Sequence, residues 1–132
     1  MSEENVELVR RMYDAWNERG PESLQQFWAE DAEFHDPLNL PDSRVVRGRD
    51  VIAAYQTDQT RVIGDMKFAL VDMRERGQTV VIRLELTVHG PASGIDVPGE
   101  IAQVVEVVDG RVQRMRVFMT WGEALEAAAL SE

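Results

Sequence analysis

Apolar residues in the first part of the chain recur at the spacing of an α-helix. Over residues 3–17 they return every three or four positions and form one stripe, made of Val6, Val9, Tyr13 and Trp16. Gly20 ends this predicted helix. Pro21 begins a short second helix that reaches residue 27 or 28, because proline is tolerated at the first helical position.

A short strand and a third helix are predicted to follow. Residues 32–36 look like a strand that Pro37 ends, and the turn formers of residues 37–43 predict a loop. Residues 50–64 again show helical spacing. The predicted buried side of this helix consists of Val51, Ile52, Tyr55, Val62 and Ile63.

The apolar period changes from 3.6 to 2 after Gly64, which is typical of β-strands. Four strands are expected, over residues 67–74, 79–89, 100–108 and 111–121, and residues 123–130 read as a short helical tail. The second of these strands alternates most clearly, with Val80, Ile82, Leu84, Leu86 and Val88 on one face. Helices followed by a run of antiparallel strands indicate the α+β class. We expect one domain over residues 1–132.

Composition and charge narrow the possible partners. The 132-residue chain has a net charge of −10, which would repel a phosphate backbone or an anionic membrane surface, so nucleic-acid and membrane partners are not expected. It contains no cysteine, which excludes disulfides, thiol nucleophiles and zinc–thiolate sites. The acidic start, residues 1–5, lacks the features of a signal peptide, so a cytoplasmic protein is expected.

The stretch "EFHDP", residues 33–37, carries the sharpest candidate for chemistry. Strand alternation puts Phe34 and Asp36 on the inner face and Glu33 and His35 on the other. Asp36 has two interpretations that the sequence leaves open. It can form an Asx-type turn before Pro37, or it can serve as an acid–base group at the mouth of an apolar pocket.

Four stretches, in this order and spacing, together resemble the nuclear transport factor 2-like superfamily and its SnoaL-like, ketosteroid isomerase-like members. They are "YDAWNERG" (13–20), "FWAEDAEFHDP" (27–37), "RGRDVIAAY" (47–55) and "DGRVQRMRVFMTWG" (109–122). The resemblance implies a cone-shaped, strongly curved antiparallel sheet packed with the N-terminal helices around an apolar pocket, a cystatin-like roll. It also implies a small hydrophobic ligand and a homodimer formed through the sheet. The SnoaL-like group includes polyketide cyclases.

Ketosteroid isomerase offers the closest functional comparison within that family. Its catalytic base is an Asp directly before Pro, which Asp36 matches, and its Tyr lies seven residues before a Gly, which Tyr13 and Gly20 match. By this resemblance Asp36 would move a proton on a carbon next to a carbonyl, and Tyr13 would donate a hydrogen bond to the oxygen that gains charge. The family's third group, a protonated Asp, falls near Ala102, with Gln103 beside it, where no carboxyl group stands.

Limonene epoxide hydrolase, another member of the superfamily, fits less well. It needs an Arg-x-Asp pair pointing into the pocket, and in this chain the inner positions are Leu84 and Leu86. Arg83 and Glu85 have the right spacing, but alternation turns them to the outer face, where they form an outer-face pair or a dimer contact.

The resemblance therefore yields two hypotheses. The first is a cofactor-independent isomerase, cyclase or lyase, with Asp36 and Tyr13 as catalytic residues and no metal or cofactor. The second is a non-catalytic ligand-binding or dimerisation module of the same fold, in which Tyr13 serves core packing. The predicted ligand-binding residues are Trp16, Phe34, Tyr55, Leu84, Leu86, Ala102, Met115, Val117 and Met119.

Overall fold

The computed structural model describes residues 2–38, 41–91 and 93–129. The chain begins with helix α1 (Ser2–Arg19) and a 3₁₀ helix (Pro21–Phe27), as the apolar spacing predicts. The remaining elements are β1 (Trp28–His35), β2 (Val45–Arg47), α2 (Arg49–Ile63), β3 (Asp65–Arg76), β4 (Thr79–His89), β5 (Asp96–Val108), β6 (Arg111–Phe118) and α3 (Trp121–Ala127).

The six strands form one curved, unclosed sheet in the order β2-β1-β6-β5-β4-β3. Successive strands from β3 to β6 pair antiparallel, as predicted. The complete sheet is mixed, because β6 returns beside β1 in the parallel direction, with Phe34 opposite Met115. The fold is nevertheless the predicted α+β arrangement, with N-terminal helices packed against a curved sheet.

Several elements differ from the predictions, including β1, which begins at Trp28, and β3, which covers Asp65–Arg76. β2 is absent from the prediction because it has only three residues, although it pairs with β1. β5 begins at Asp96 and includes Pro98, since β6 pairs with β5 only up to Ala102 and the earlier part of β5 therefore lies at an edge of the sheet, where proline is tolerated. β6 ends at Phe118 because Thr120 caps α3 by accepting a hydrogen bond from the Glu123 backbone N–H at 3.2 Å.

Helix α1 packs on the inner, concave face of the sheet and forms the main core there. Val9 and Trp28 are fully buried, together with Leu84 of β4. The short helix α3 covers part of the opposite, outer face, where Leu125 packs in a smaller cluster with Ala102. The predicted helical tail therefore has a structural role, and Leu130 lies outside the described residues.

The buried side predicted for α2 is partly wrong. Val51 and Val62 are 57% and 79% exposed. The buried residues are Ile52, Ala53 and Gln56. The buried side of α2 therefore includes a polar side chain, which the spacing of apolar residues does not identify. The Gln56 side chain also lines a cavity.

A candidate ligand cavity with an aspartate at its wall

A cavity of about 300 Å³ lies between the inner face of the sheet and the helices α1 and α2. Most of its wall is apolar and includes six predicted ligand-binding or wall residues, Trp16, Phe34, Leu86, Met115, Val117 and Met119. Polar groups interrupt the wall at a few positions, among them Tyr13, Asp36, Gln56 and Gln103. An apolar enclosure with a few placed polar groups is the usual form of a small-molecule site.

Helix α1 is fixed against β3 by side-chain hydrogen bonds to the backbone. The Trp16 indole N–H donates to the Met66 carbonyl at 2.8 Å. The Asn17 carboxamide both donates to the Phe68 carbonyl at 2.7 Å and accepts from the Phe68 N–H at 2.8 Å. The Phe68 ring also lies edge-on to the ring of Tyr13, with centroids 5.5 Å apart. These contacts set the position of the Tyr13 hydroxyl at the cavity wall.

Asp36 follows directly after β1, is 8% exposed and lines the cavity. Its Oδ2 accepts a short hydrogen bond from the Tyr55 hydroxyl and a second from the Arg44 backbone N–H at 3.3 Å. Its own N–H donates to the Arg44 carbonyl at 3.0 Å. Asp36 therefore closes a local loop and also reaches the cavity, so the two sequence interpretations are compatible. Within the described ranges, the hydrogen bonds to this carboxylate go to Oδ2.

Tyr55 lies behind Asp36 and is not part of the cavity wall. Its ring is 6.2 Å from that of Phe34, between centroids, and its hydroxyl accepts a hydrogen bond from the Gln59 carboxamide at 3.1 Å. Partial burial, and then the hydrogen bond to Asp36, raise the pKa of Tyr55 to about 12. Tyr55 is therefore a neutral donor that orients the carboxylate.

The Tyr13 hydroxyl differs from that of Tyr55 in having no protein partner among the described residues. The side chain is buried, with 5% exposure, and it lines the cavity. Burial raises the pKa of Tyr13 far above its ordinary value, so the hydroxyl is neutral and keeps its proton for donation.

Three predicted ligand-binding residues do not line the cavity. Tyr55 lies behind Asp36, as described, and Leu84 is fully buried in the core. Ala102 lies on the outer face against α3, because strand alternation gives the inner position to its neighbour Gln103. The register of the sheet agrees, because Gln103 pairs with Ile82, an inner residue of the clearly alternating strand β4.

The outer face of the sheet carries paired charges. Glu33 accepts hydrogen bonds from Arg47 and His35, both at 2.9 Å, and these bonds, the one from His35 first, lower the pKa of the Glu33 carboxyl group. Arg83 donates to Glu100 at 2.8 Å. The alternation predicted for β1 and β4 is therefore confirmed for His35 and Arg83, which point away from the cavity.

Two further features concern metal sites and membranes. In the part of the chain that the structure describes, His, Asp and Glu side chains do not gather in groups of three or more that would bind a metal. Among the same residues, α1 and the other helices are too short or too polar to cross a bilayer.

The sequence profile of the SnoaL-like domain matches residues 9–115, which is most of the chain. The chain belongs to the SnoaL-like family. Its membership agrees with the order of elements and with the cavity between the helices and the sheet. No curated protein matches the chain in sequence.

Solved structures share the SnoaL-like fold over nearly their whole length. An NTF2-like protein of unknown function from Burkholderia pseudomallei is 19% identical, with a TM-score of 0.78 over 93% of this chain and 95% of that one. A putative SnoaL-like polyketide cyclase from Jannaschia sp. CCS1 is 19% identical, with a TM-score of 0.75 over 98% and 94%. SalBIII, an epoxide hydrolase/cyclase-like enzyme of pyran ring formation in the polyether salinomycin, is 17% identical, with a TM-score of 0.77 over 92% and 94%. Likeness at this level of identity shows the fold alone.

Proposed function

We propose that this SnoaL-like protein is a cofactor-independent proton-transfer enzyme, an isomerase or cyclase, that acts on a small, largely apolar ketone. The observation that carries the proposal is the placement of a buried carboxylate, Asp36, and an unpartnered hydroxyl, that of Tyr13, on the wall of one apolar cavity. Cyclases among proteins of the same fold are consistent with it.

In the proposed reaction, Asp36 takes a proton from the carbon next to the ketone carbonyl. The electron pair of that C–H bond moves toward the carbonyl oxygen and forms an enolate, and Tyr13 donates a hydrogen bond to this oxygen. Where the substrate is a β,γ-unsaturated ketone, the enolate is conjugated with the C=C bond, and the protonated Asp36 returns the proton to the γ-carbon, so that the double bond moves into conjugation with the carbonyl. In a cyclisation the enolate carbon instead attacks a second carbonyl of the same molecule, and Asp36 gives its proton to the new alkoxide.

Tyr55 has a positioning role in this mechanism. Its hydroxyl and the Arg44 N–H both bind Oδ2 of Asp36, so the carboxylate is held in one orientation. The other oxygen, Oδ1, is then the atom we assign to proton transfer, because none of the hydrogen bonds that the described residues donate to Asp36 reaches it.

The test is deuterium incorporation from D₂O into a panel of aryl ketones and β,γ-unsaturated cyclic ketones, followed by NMR. Asp36→Asn keeps the shape of the side chain and removes the base, so exchange is expected to fall by about 10²–10⁴-fold. Glu33→Gln is the matched control, because it neutralises a carboxylate of β1, three residues before Asp36, that points away from the cavity, and its exchange rate should equal that of the wild type. Full exchange by Asp36→Asn would contradict the mechanism.

The second candidate function is a non-catalytic binding module. The Arg44–Asp36 backbone contacts favour it, because they give Asp36 a structural role that needs no chemistry. This alternative predicts that the wild type binds ketones of the panel without exchanging their protons, and that Asp36→Asn binds them equally well.

The assembly and location implied by the resemblance stay predictions. We expect a homodimer through the outer face of the sheet, which sedimentation equilibrium would test, and a cytoplasmic protein.

A further inference from the structure

Two glutamines of the cavity wall have polar atoms that the protein leaves without partners. Gln103 on β5 and Gln56 on α2 are each 6% exposed, and the Oε1 atom of each lacks a hydrogen-bond partner among the described residues. An unsatisfied buried polar group costs roughly 1–3 kcal/mol. Both side chains line the same cavity, so an occupant of the cavity is the partner that remains for their carboxamides.

The sheet register locates Gln103 relative to Asp36. Gln103 pairs with Val117 of β6, and His35 of β1 pairs with Arg116. The next residue along β1, Asp36, therefore comes beside Val117, on the same row of the sheet as Gln103. Adjacent strands lie about 4.8 Å apart, so Gln103 and Asp36 are separated by about 10 Å across the row. One ligand of two fused rings can reach both groups.

The proposal that follows rests on the cavity being the ligand site of the proposed function. We propose that the carboxamides of Gln103 and Gln56, which line the same cavity, offer polar contacts in addition to Asp36 and bind a hydroxyl group of an otherwise apolar ligand. The substrate class is thereby narrowed from apolar ketones in general to hydroxylated ones.

A hydroxyl group fits these two carboxamides better than the other polar groups of small molecules. A ligand that carries only carbonyl or ether oxygens can accept from the carboxamide N–H groups but leaves the two Oε1 acceptors without a partner. A hydroxyl donates to a carboxamide oxygen and accepts from its N–H, and it therefore fits either orientation of the amide end. An ammonium group would lose its hydration here, about 10 Å from the Asp36 carboxylate that could compensate for it.

The test measures the affinities of 2-naphthol, 2-methoxynaphthalene and naphthalene by calorimetry and by tryptophan fluorescence, since Trp16 lines the cavity. The wild type should bind 2-naphthol at least about tenfold more tightly than its methyl ether, as one buried hydrogen bond allows. Gln103→Met and Gln56→Met, which keep the side-chain length, should reduce this ratio to about threefold or less and leave the affinity for naphthalene unchanged.

Gln113→Met is the matched control. Gln113 is also a strand glutamine, but its carboxamide donates to Asp31 at 3.1 Å, outside the cavity wall. This variant should keep the wild-type ratio. Removing an unsatisfied carboxamide should also raise the melting temperature of Gln103→Met, whereas a carboxamide that served the fold would give a lower one.

Three results would overturn the proposal: equal affinity of the wild type for the naphthol and its ether, an unchanged ratio in both cavity variants, or no binding of any of the three compounds. A lower melting temperature in Gln103→Met would also count against it. Deuterium exchange by the wild type separates this proposal from the proposed function. A wild type that prefers the hydroxyl but exchanges no deuterium supports the carboxamide contacts and removes the catalytic role.

Discussion

Two charged residues on the outer face of the sheet and three polar residues around the cavity differ in their hydrogen-bond partners. On the outer face, Glu33 and Arg83 have charged partners within 3 Å. On the cavity side, the Tyr13 hydroxyl and the carboxamide oxygens of Gln56 and Gln103 are buried without partners in the described chain. Surface ion pairs contribute only about 0–1 kcal/mol, whereas each unsatisfied buried group costs roughly 1–3 kcal/mol. The ion pairs of the outer face therefore contribute little to stability, whereas the unpartnered groups around the cavity carry a free-energy cost that a bound ligand would reduce.

The largest expected difference between the faces is in packing. Leu84→Ala removes a fully buried side chain from the inner face and should lower the free energy of unfolding by about 2–5 kcal/mol. Glu85→Ala, one residue further along the same strand, changes an exposed position and should stay within about 0.5 kcal/mol of the wild type. Urea denaturation followed by circular dichroism measures both. Equal losses would mean that the two faces of β4 are assigned incorrectly.

Tyr13 and Tyr55 allow a comparison between a hydroxyl without a protein partner and one with a partner. Tyr13→Phe removes an unpartnered buried hydroxyl and should raise the free energy of unfolding by about 1 kcal/mol. Tyr55→Phe removes the hydroxyl that donates to the Asp36 carboxylate and should lower it by about 1.5–3 kcal/mol. Replacing Tyr by Phe is thus expected to raise the free energy of unfolding at position 13 and to lower it at position 55. A clear loss of stability in Tyr13→Phe would show that its hydroxyl has a partner within the fold.

The smallest expected effect is at the outer face and depends on pH. The pKa of Glu33 is lowered in the folded protein by hydrogen bonds from His35 and Arg47, so its ionised form stabilises the fold. This contribution is fully present above the ordinary pKa of a glutamate, about 4.3, and is lost as the pH falls through the lowered value. The stability difference between the wild type and Glu33→Gln should therefore shrink below about pH 4. A difference that grew in acid would contradict the assigned pairs.

The strands were predicted well from the sequence where apolar residues recur with a single clear spacing. β4 has the predicted bounds, because only one of its faces is apolar over most of its length and Gly77 marks the preceding turn. β5 gave no such signal. Its outer residues Ala102 and Val104 are as apolar as its inner ones, since α3 covers them, so alternation could not show which of Ala102 and Gln103 faces inward.

The candidate site was harder to predict than the fold. Strand alternation indicated Asp36, the family resemblance indicated both Asp36 and Tyr13, and the two residues line the same cavity. Gln56 was missed because a polar residue in a buried helical stripe weakens the periodic signal that identifies the stripe. The lack of partners that marks Gln56 and Gln103 is a property of the packed structure, and no local sequence pattern encodes it.

The most direct test of the central claim is a high-resolution crystal structure of the protein with 2-naphthol. We predict that the rings occupy the cavity between α1, α2 and the sheet, with the hydroxyl within hydrogen-bond distance of the Gln103 or Gln56 carboxamide and Asp36 at the cavity wall. A cavity filled by its own side chains, with the naphthol bound elsewhere or absent, would contradict the account.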